Sequence, residues 1–168
     1  MNEWYNGGGD KMNNIYERLN TFLWSHPTYK KIVGFLTIAL KYIMMASYVM
    51  LLIGFYITHD DYLIYAIIKP CAAFLIVTVI RKLINQSRPY DYLEVTPLFE
   101  HCEGCSFPSR HAASAFIIAF TAIHFDLYIG IVMLIFAFLT AITRVLSGLH
   151  HISDVTAGMV LSLIIELL

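Results

Sequence analysis

Residues 143–154 read Thr143-Arg144-Val145-Leu146-Ser147-Gly148-Leu149-His150-His151-Ile152-Ser153-Asp154 and separate two long apolar runs. This arrangement is typical of a polar turn at a membrane surface with a spanning helix on each side. His150 precedes Asp154 by four residues, so a helix from His150 onward places imidazole and carboxylate on one face. A carboxylate that accepts the Nδ1 proton leaves Nε2 free to attack, and the planar fork of Arg144 matches phosphate oxygens. A solvated polar turn is an equally good interpretation of this stretch alone.

The composition of the chain predicts an integral membrane protein. Of its 168 residues, 58% are hydrophobic and only 14% are charged, with a net charge of −1. A soluble domain of this size carries more charge. No basic tail is present, which argues against a nucleic-acid partner. The first thirty residues lack an apolar signal-peptide core, and nothing in the sequence predicts an obligate protein partner.

The apolar runs predict an all-α membrane protein, a compact bundle of about five transmembrane helices. Residues 1–30 are predicted to form a flexible tail, to about Asn14, and an amphipathic interfacial helix at Ile15–Tyr29. Residues 31–168 are predicted to form a single transmembrane domain. Its expected spans are Ile32–Thr58, Tyr62–Ile80, His111–His124, Leu127–Thr143 and Ser153–Leu168, with one substantial loop from Ile84 to Phe107.

Counting these spans places the polar residues that could carry chemistry on one side of the membrane. The exit of the second span, the entry of the third and the turn before the fifth all face that side. Scattered juxtamembrane charge would not be expected to sort in this way. The residues concerned are Arg81, Arg88, Ser109, Arg110, His111, Arg144, His150 and Asp154.

Pro108-Ser109-Arg110-His111 is predicted to begin a helix, because small apolar residues follow it. A helix N-terminus presents free backbone N–H groups and partial positive charge, and so favours an anion. Ser109 could cap this helix or donate to a phosphate oxygen, and His111 could protonate a leaving oxygen. A plain cap and an interfacial histidine are the simpler interpretation of this segment taken alone.

Cysteine spacing predicts neither a disulfide framework nor a zinc site. Cys102 and Cys105 form one Cys-x-x-Cys beside His101, and no second pair supplies the remaining ligands of a structural zinc. Two loop thiols are expected, with a loop disulfide as the alternative in an oxidising compartment. No metal and no cofactor is predicted.

Taken together, three motifs resemble those of the type 2 phosphatidic acid phosphatase family, over about Tyr62 to Leu168. They are Arg81 through Arg88-Pro89, then Pro108-Ser109-Arg110-His111, then Thr143-Arg144 through His150 to Asp154. Two positions depart from the family pattern. Arg81 stands where lysine is usual, and Arg110 stands where glycine is common. The guanidinium of Arg110 could bind a second phosphate or an acidic headgroup.

The resemblance implies a metal-independent lipid phosphatase with a phosphohistidine intermediate. It implies that His150 is the nucleophile, that Asp154 orients it, and that His111 protonates the leaving group. The phosphate oxygens would be held by Arg81, Arg88, Ser109, Arg110 and Arg144.

The short layout resembles bacterial undecaprenyl diphosphate phosphatases, with phosphatidate or phosphatidylglycerophosphate as the alternative substrate. The membrane lipid substrate would arrive from the bilayer. Vanadium haloperoxidases share these motifs but are soluble, and a small membrane transporter or scaffold is the non-enzymatic alternative. The resemblance implies a cell-membrane protein with an extracytoplasmic site, whereas Lys11, Arg18, Lys30 and Lys31 on that side favour the cytoplasm.

Overall fold

Long apolar runs satisfy their backbone hydrogen bonds most simply as helices, because a bilayer offers no water to replace them. The computed structural model describes residues 9–99 and 104–168, and its regular elements there are all helices. They are α1 (Gly9–Ser25), α2 (Pro27–Ile57), α3 (Leu63–Ile84), α4 (Pro89–Tyr92), α5 (Arg110–Phe125), α6 (Leu127–Leu146) and α7 (Ile152–Leu167).

The prediction of an all-α, multi-pass membrane protein is confirmed. Three stretches are long and apolar enough to cross a bilayer, namely Pro27–Ile57, Leu63–Tyr92 and Leu127–Leu146. The other two predicted spans correspond to α5 and α7, which have 16 residues each. A helix of that length extends about 24 Å, somewhat less than a typical hydrocarbon core. The predicted number of five spans is therefore approximate, because α5 and α7 are shorter than a full span.

Helix α5 forms the centre of the bundle and contacts α2, α3, α6 and α7. Its alanine-rich face allows neighbouring backbones to approach closely, as is common between membrane helices. Gly158 on α7 shows how close this approach is, because a Cβ there would lie 2.9 Å from the backbone oxygen of Ser109. The backbone N–H of Ser109 in turn donates to the Asp154 carbonyl at 2.9 Å. This packing fixes the start of α5 against the start of α7.

Charged side chains within the bundle pair with each other at the end remote from residues 143–154. Lys69 Nζ lies 3.3 Å from Glu166 Oε1, and His124 Nε2 lies 3.0 Å from the same oxygen. The Tyr62 hydroxyl also donates to this carboxylate, and its ring stacks on His124. Lysine within an apolar span is expected to face the bundle interior. Its pairing with Glu166 gives Lys69 a structural role that ties α3 to α7.

Helix α1 lies across the other end of the bundle, against the loop that follows α4. The Asn20 side chain donates to the Thr96 carbonyl at 2.8 Å and accepts from the Thr96 N–H at 3.0 Å. The helix begins at Gly9, earlier than the predicted Ile15, and α2 begins at Pro27, a residue favoured in the first helical turn. The predicted tail before Gly9 lies outside the described residues, as does Cys102.

Candidate active site

His150 and Asp154 meet where the turn after α6 enters α7. His150 Nδ1 lies 3.2 Å from Asp154 Oδ2, and both side chains are buried, at 4% and 0% exposure. With Nδ1 donating its proton to the carboxylate, Nε2 carries the free lone pair. The predicted i,i+4 pair is therefore present in the geometry that a nucleophilic imidazole requires.

One oxygen of Asp154 receives several donors, which hold the carboxylate in place. The Ser106 hydroxyl donates to Oδ2, as does the backbone N–H of His151 at 2.9 Å. The ring of His151 also contacts Oδ2, with its Nδ1 at 3.4 Å, while its Nε2 lies 2.9 Å from the Tyr92 hydroxyl. A carboxylate fixed in this way in turn fixes the orientation of the His150 ring.

Burial keeps the His150 imidazole neutral. Removal from water lowers the pKa of His150 to about 4, and the positive charges of Arg88 and Arg81 act in the same direction. The hydrogen bond to Asp154 acts in the opposite direction but is outweighed. At neutral pH the ring is thus unprotonated, as attack through Nε2 requires.

Two guanidinium groups approach this pair from α3 and from the loop after it. Arg81, in the last turn of α3, donates through Nη1 to the carbonyls of Ser106 and Pro108, at 3.2 and 3.0 Å. Arg88 donates through Nε to the Gly104 carbonyl and through Nη1 to the Leu149 carbonyl. These bonds connect both arginines to the loops that carry the other site residues, and leave both guanidinium groups with further donors.

Arg144, in the last turn of α6, supplies the third guanidinium group. Its Nε is fully buried and has no hydrogen-bond partner among the described residues. Within residues 9–99 and 104–168, no carboxylate forms an ion pair with Arg81, Arg88 or Arg144, although all three are about 95% buried. Buried charges without partners are costly, and an anion bound between them would offset that cost.

The start of α5 brings Ser109 to the same place. Ser109 is fully buried and caps the helix, with its Oγ accepting from the Ala112 N–H at 3.4 Å. The predicted cap is therefore confirmed, and its hydroxyl keeps a proton for a ligand. Arg110 is exposed and close enough for its charge to repel that of Arg81. Arg110 and His111 both line a cavity that extends along α5 toward Ile118.

Four side chains at this site were not identified from the sequence as parts of it. Ser106 and Tyr92 come from the long loop region, and Tyr16 from α1, whose hydroxyl accepts from the Ile152 N–H at 2.7 Å. Such long-range contacts carry no local spacing signal. His151 did carry a signal, because its i,i+3 spacing also places it on the face of Asp154.

No grouping of three His, Cys, Asp or Glu side chains suited to a metal ion occurs in the described part of the chain. Cys105 is a free thiol, and Cys102, the other cysteine of the Cys-x-x-Cys motif, lies outside the described residues. The positive charge of the site comes from guanidinium groups and a helix N-terminus.

The three motifs identified in the sequence fall within a family match. Residues 61–168 match the model of the PAP2 superfamily. This is the family of the predicted resemblance, and the matched segment contains every one of the predicted site residues.

Two curated bacterial proteins are similar to this chain. One, named bacitracin transport permease protein BcrC, from Bacillus licheniformis, is 34% identical over 102 residues, which are 60% of this chain and 50% of the relative. Another, undecaprenyl-diphosphatase BcrC of Bacillus subtilis strain 168, is 31% identical over 107 residues, or 64% and 55%. The matched segment thus spans about half the length of these relatives.

Two crystal structures share the fold. LpxE of Aquifex aeolicus superposes with a TM-score of 0.74 at 26% identity, covering 92% of this chain and 91% of that protein. A transmembrane PAP2-type phosphatidylglycerolphosphate phosphatase from Bacillus subtilis superposes with a TM-score of 0.69 at 19% identity, covering 92% and 82%. The helical arrangement described above is thus that of known membrane proteins.

Proposed function

Because this chain belongs to the PAP2 superfamily, we propose that it is a metal-independent lipid phosphatase that hydrolyses undecaprenyl diphosphate to the monophosphate. One observation carries the proposal: three buried arginines without carboxylate partners among the described residues are grouped with a buried His150–Asp154 pair. The charges of Arg81 and Arg88 act on His150, and that of Arg88 acts on Arg144. Residues 31–168 form the catalytic domain in this proposal, and residues 1–30 lie at the membrane interface.

His150 is the proposed nucleophile. Its Nε2 attacks the terminal phosphorus, and the bond from phosphorus to the bridging oxygen breaks. The electron pair goes to the departing lipid phosphate, and the phosphoryl group remains on His150. Asp154 stabilises the positive charge that develops on the ring, because its carboxylate accepts the Nδ1 proton at 3.2 Å.

The three arginines provide the electrostatic part of catalysis. Phosphoryl transfer depends mainly on positioning and on positive charge around the equatorial oxygens. In our proposal Arg81, Arg88 and Arg144 bind those oxygens, together with the Ser109 hydroxyl and the backbone N–H of Arg110. This charge is already in place before substrate arrives, so little reorganisation accompanies the reaction.

His111 is the proposed proton donor. It lies in the first turn of α5 and lines the cavity that extends from the site into the bundle. Its proton passes to the bridging oxygen as the lipid monophosphate leaves. The neutral ring then accepts a proton from the water that hydrolyses the phosphohistidine, which releases inorganic phosphate and restores both histidines.

A lipid substrate follows from where the site lies. Large apolar side chains are exposed along α2, α3 and α6, as lipid-facing helices require, and the site lies at one end of these helices. A substrate with a hydrocarbon tail can therefore approach laterally from the bilayer. The similarity to undecaprenyl-diphosphatase BcrC favours a polyprenyl diphosphate over phosphatidate or phosphatidylglycerophosphate.

Transport is the second candidate, because one relative is named a transport permease. A transporter needs a polar path between two faces, but it has no need of a nucleophilic imidazole beside guanidinium groups that lack carboxylate partners among the described residues. The His150–Asp154 geometry therefore favours hydrolysis.

We expect the purified protein in detergent to release phosphate from undecaprenyl diphosphate with EDTA present throughout. Phosphatidate and phosphatidylglycerophosphate, assayed in parallel, should be poorer substrates. Release that ceases in EDTA and returns with a divalent cation would contradict the metal-independent mechanism. Absence of release from all three lipids by correctly folded protein would favour the transport alternative.

We also propose that the site faces the outside of the cell membrane, as the resemblance implies. Cysteine-free variants carrying Glu94→Cys, on the site side, or Asp61→Cys, in the turn between α2 and α3, serve as matched reporters. In intact cells an impermeant maleimide should label only the Glu94→Cys variant. Labelling of the Asp61→Cys variant alone would place the site in the cytoplasm, where the positive-inside rule favours it.

A further inference from the structure

A cavity of about 350 Å³ opens beside the proposed catalytic centre, between α2, α3, α5 and α6. Arg110 and His111 line its upper end. Ile118, which is about 12 Å further along α5, lines its apolar lower part together with Phe74. The cavity therefore combines a charged mouth with an apolar floor, the two environments that the head and tail of a lipid need.

Lys41 of α2 lines this cavity as well, and with Arg110 it brings two basic side chains to it. Thr37, one helical turn before Lys41, has its Oγ1 3.1 Å from the Oγ of Ser147, which follows the last residue of α6. Lys41 therefore lies one turn further into the bundle than the end of α6. The Lys41 side chain is exposed, and no acidic group of the described residues lies within ion-pair distance. The centroid of the Tyr42 ring lies 5.1 Å from Lys41 Nζ.

An ammonium group in this position is costly. Lysine inside a membrane span is usually paired, directed toward a polar cavity, or extended toward the interface. Lys69 of the same protein follows the first pattern, because it pairs with Glu166 at 3.3 Å. Lys41 has no such partner within the described residues and lines a cavity that also contains Arg110. An anionic ligand in the cavity would offset the cost.

The position of His111 indicates which part of the substrate would be the anionic ligand in the cavity. In the proposed reaction the leaving oxygen lies next to His111, and His111 lines the cavity. The leaving group therefore occupies the cavity. When the substrate is a diphosphate, that leaving group carries its own charged phosphate, whereas the leaving group of a monophosphate ester is an uncharged alcohol.

We propose that Lys41, together with Arg110, binds the phosphate of the leaving group and so makes this site selective for lipid diphosphates. The inference rests on the proposed function and adds a specificity residue from α2, outside the three sequence motifs. His150 attacks the terminal phosphorus as before. The bridging oxygen leaves with the lipid phosphate, takes its proton from His111, and keeps its negative charges beside Lys41 and Arg110.

The test compares Lys41→Met with Lys41→Arg and with Lys31→Met, a matched control on the same helix that does not line the cavity. Phosphate release from undecaprenyl diphosphate and from phosphatidate is measured, together with inhibition by vanadate, which reports on the catalytic phosphate site. Lys41→Met should lower kcat/KM for the diphosphate by about ten- to a hundredfold, the usual effect of losing a charged hydrogen bond.

Three further results are expected if Lys41 acts on the leaving group. Lys41→Arg should retain most of the activity. In Lys41→Met, vanadate inhibition should be unchanged, and release from phosphatidate should not fall although release from the diphosphate does. Equal losses on both lipids with weaker vanadate inhibition would overturn the proposal in favour of a structural role. Full activity of Lys41→Met would overturn it while leaving the proposed function intact. Inactive wild-type protein would overturn both.

Discussion

Replacement of His150 by alanine should reduce phosphate release from undecaprenyl diphosphate by at least about 10⁴-fold, because it removes the atom that bonds to phosphorus. The side chain is only 4% exposed and contacts Asp154 and Ser106, so its loss also leaves a small cavity. The measurement is single-turnover release in detergent, with folding confirmed by the elution profile and thermal melting of the variant.

His151→Gln is the matched control for this variant. His151 is the adjacent histidine, and it contacts the same carboxylate oxygen, with Nδ1 at 3.4 Å. As a positioning residue it should affect the rate by about tenfold or less, since the backbone N–H of His151 still holds Asp154. If His151→Gln abolished release while His150→Ala retained it, the assignment of the nucleophile would be wrong.

Asp154→Asn should be the second most damaging change, with an expected loss of about 10³- to 10⁴-fold in kcat. Related losses are known where an amide replaces the carboxylate of a catalytic histidine pair and holds the ring in the wrong tautomer. An amide can donate to Nδ1, which would place the proton on Nε2 and block attack. Substrate binding should change much less, because the arginines that bind phosphate remain.

Ser106→Ala provides the graded comparison for Asp154→Asn. It removes one donor to Asp154 Oδ2 but leaves the carboxylate and the His150 contact in place. A loss of about tenfold in kcat is expected, consistent with one hydrogen bond. Loss of vanadate binding in Asp154→Asn to the same extent as loss of turnover would instead indicate a collapsed site.

The sequence predicted those parts of the site that depend on local spacing. The His150–Asp154 pair follows from helical periodicity, and the Ser109 cap follows from the residues that begin α5. The order of apolar runs was sufficient to place Arg81, Arg88 and Arg144 on one side, because each run reverses the direction of the chain. These inferences need only the geometry of a helix and the thickness of a bilayer.

The parts that could not be predicted depend on contacts between distant segments. Ser106 reaches Asp154 over 48 residues, and the Tyr16 hydroxyl accepts from Ile152 over 136 residues. Neither contact has a spacing that a sequence pattern reveals. The cavity beside Lys41 is likewise formed by four helices, so the role of that lysine depends on how α2 packs against α5. The start of α1 at Gly9 also differs from the predicted Ile15, because the glycine-rich segment predicts a tail up to about Asn14.

Detection of the phosphorylated enzyme tests the central claim most directly. Wild-type protein is mixed with undecaprenyl diphosphate labelled in its terminal phosphate and stopped in alkali, in which phosphohistidine survives. His111→Ala is included because loss of this base should slow water attack more than loss of the acid slows departure of a phosphate leaving group, so that the trapped fraction increases. Peptide mass spectrometry then locates the phosphate. Our account predicts label on His150, which is absent from the His150→Ala variant. Label on another residue would contradict it, as would turnover with no trapped phosphate in both the wild-type protein and His111→Ala.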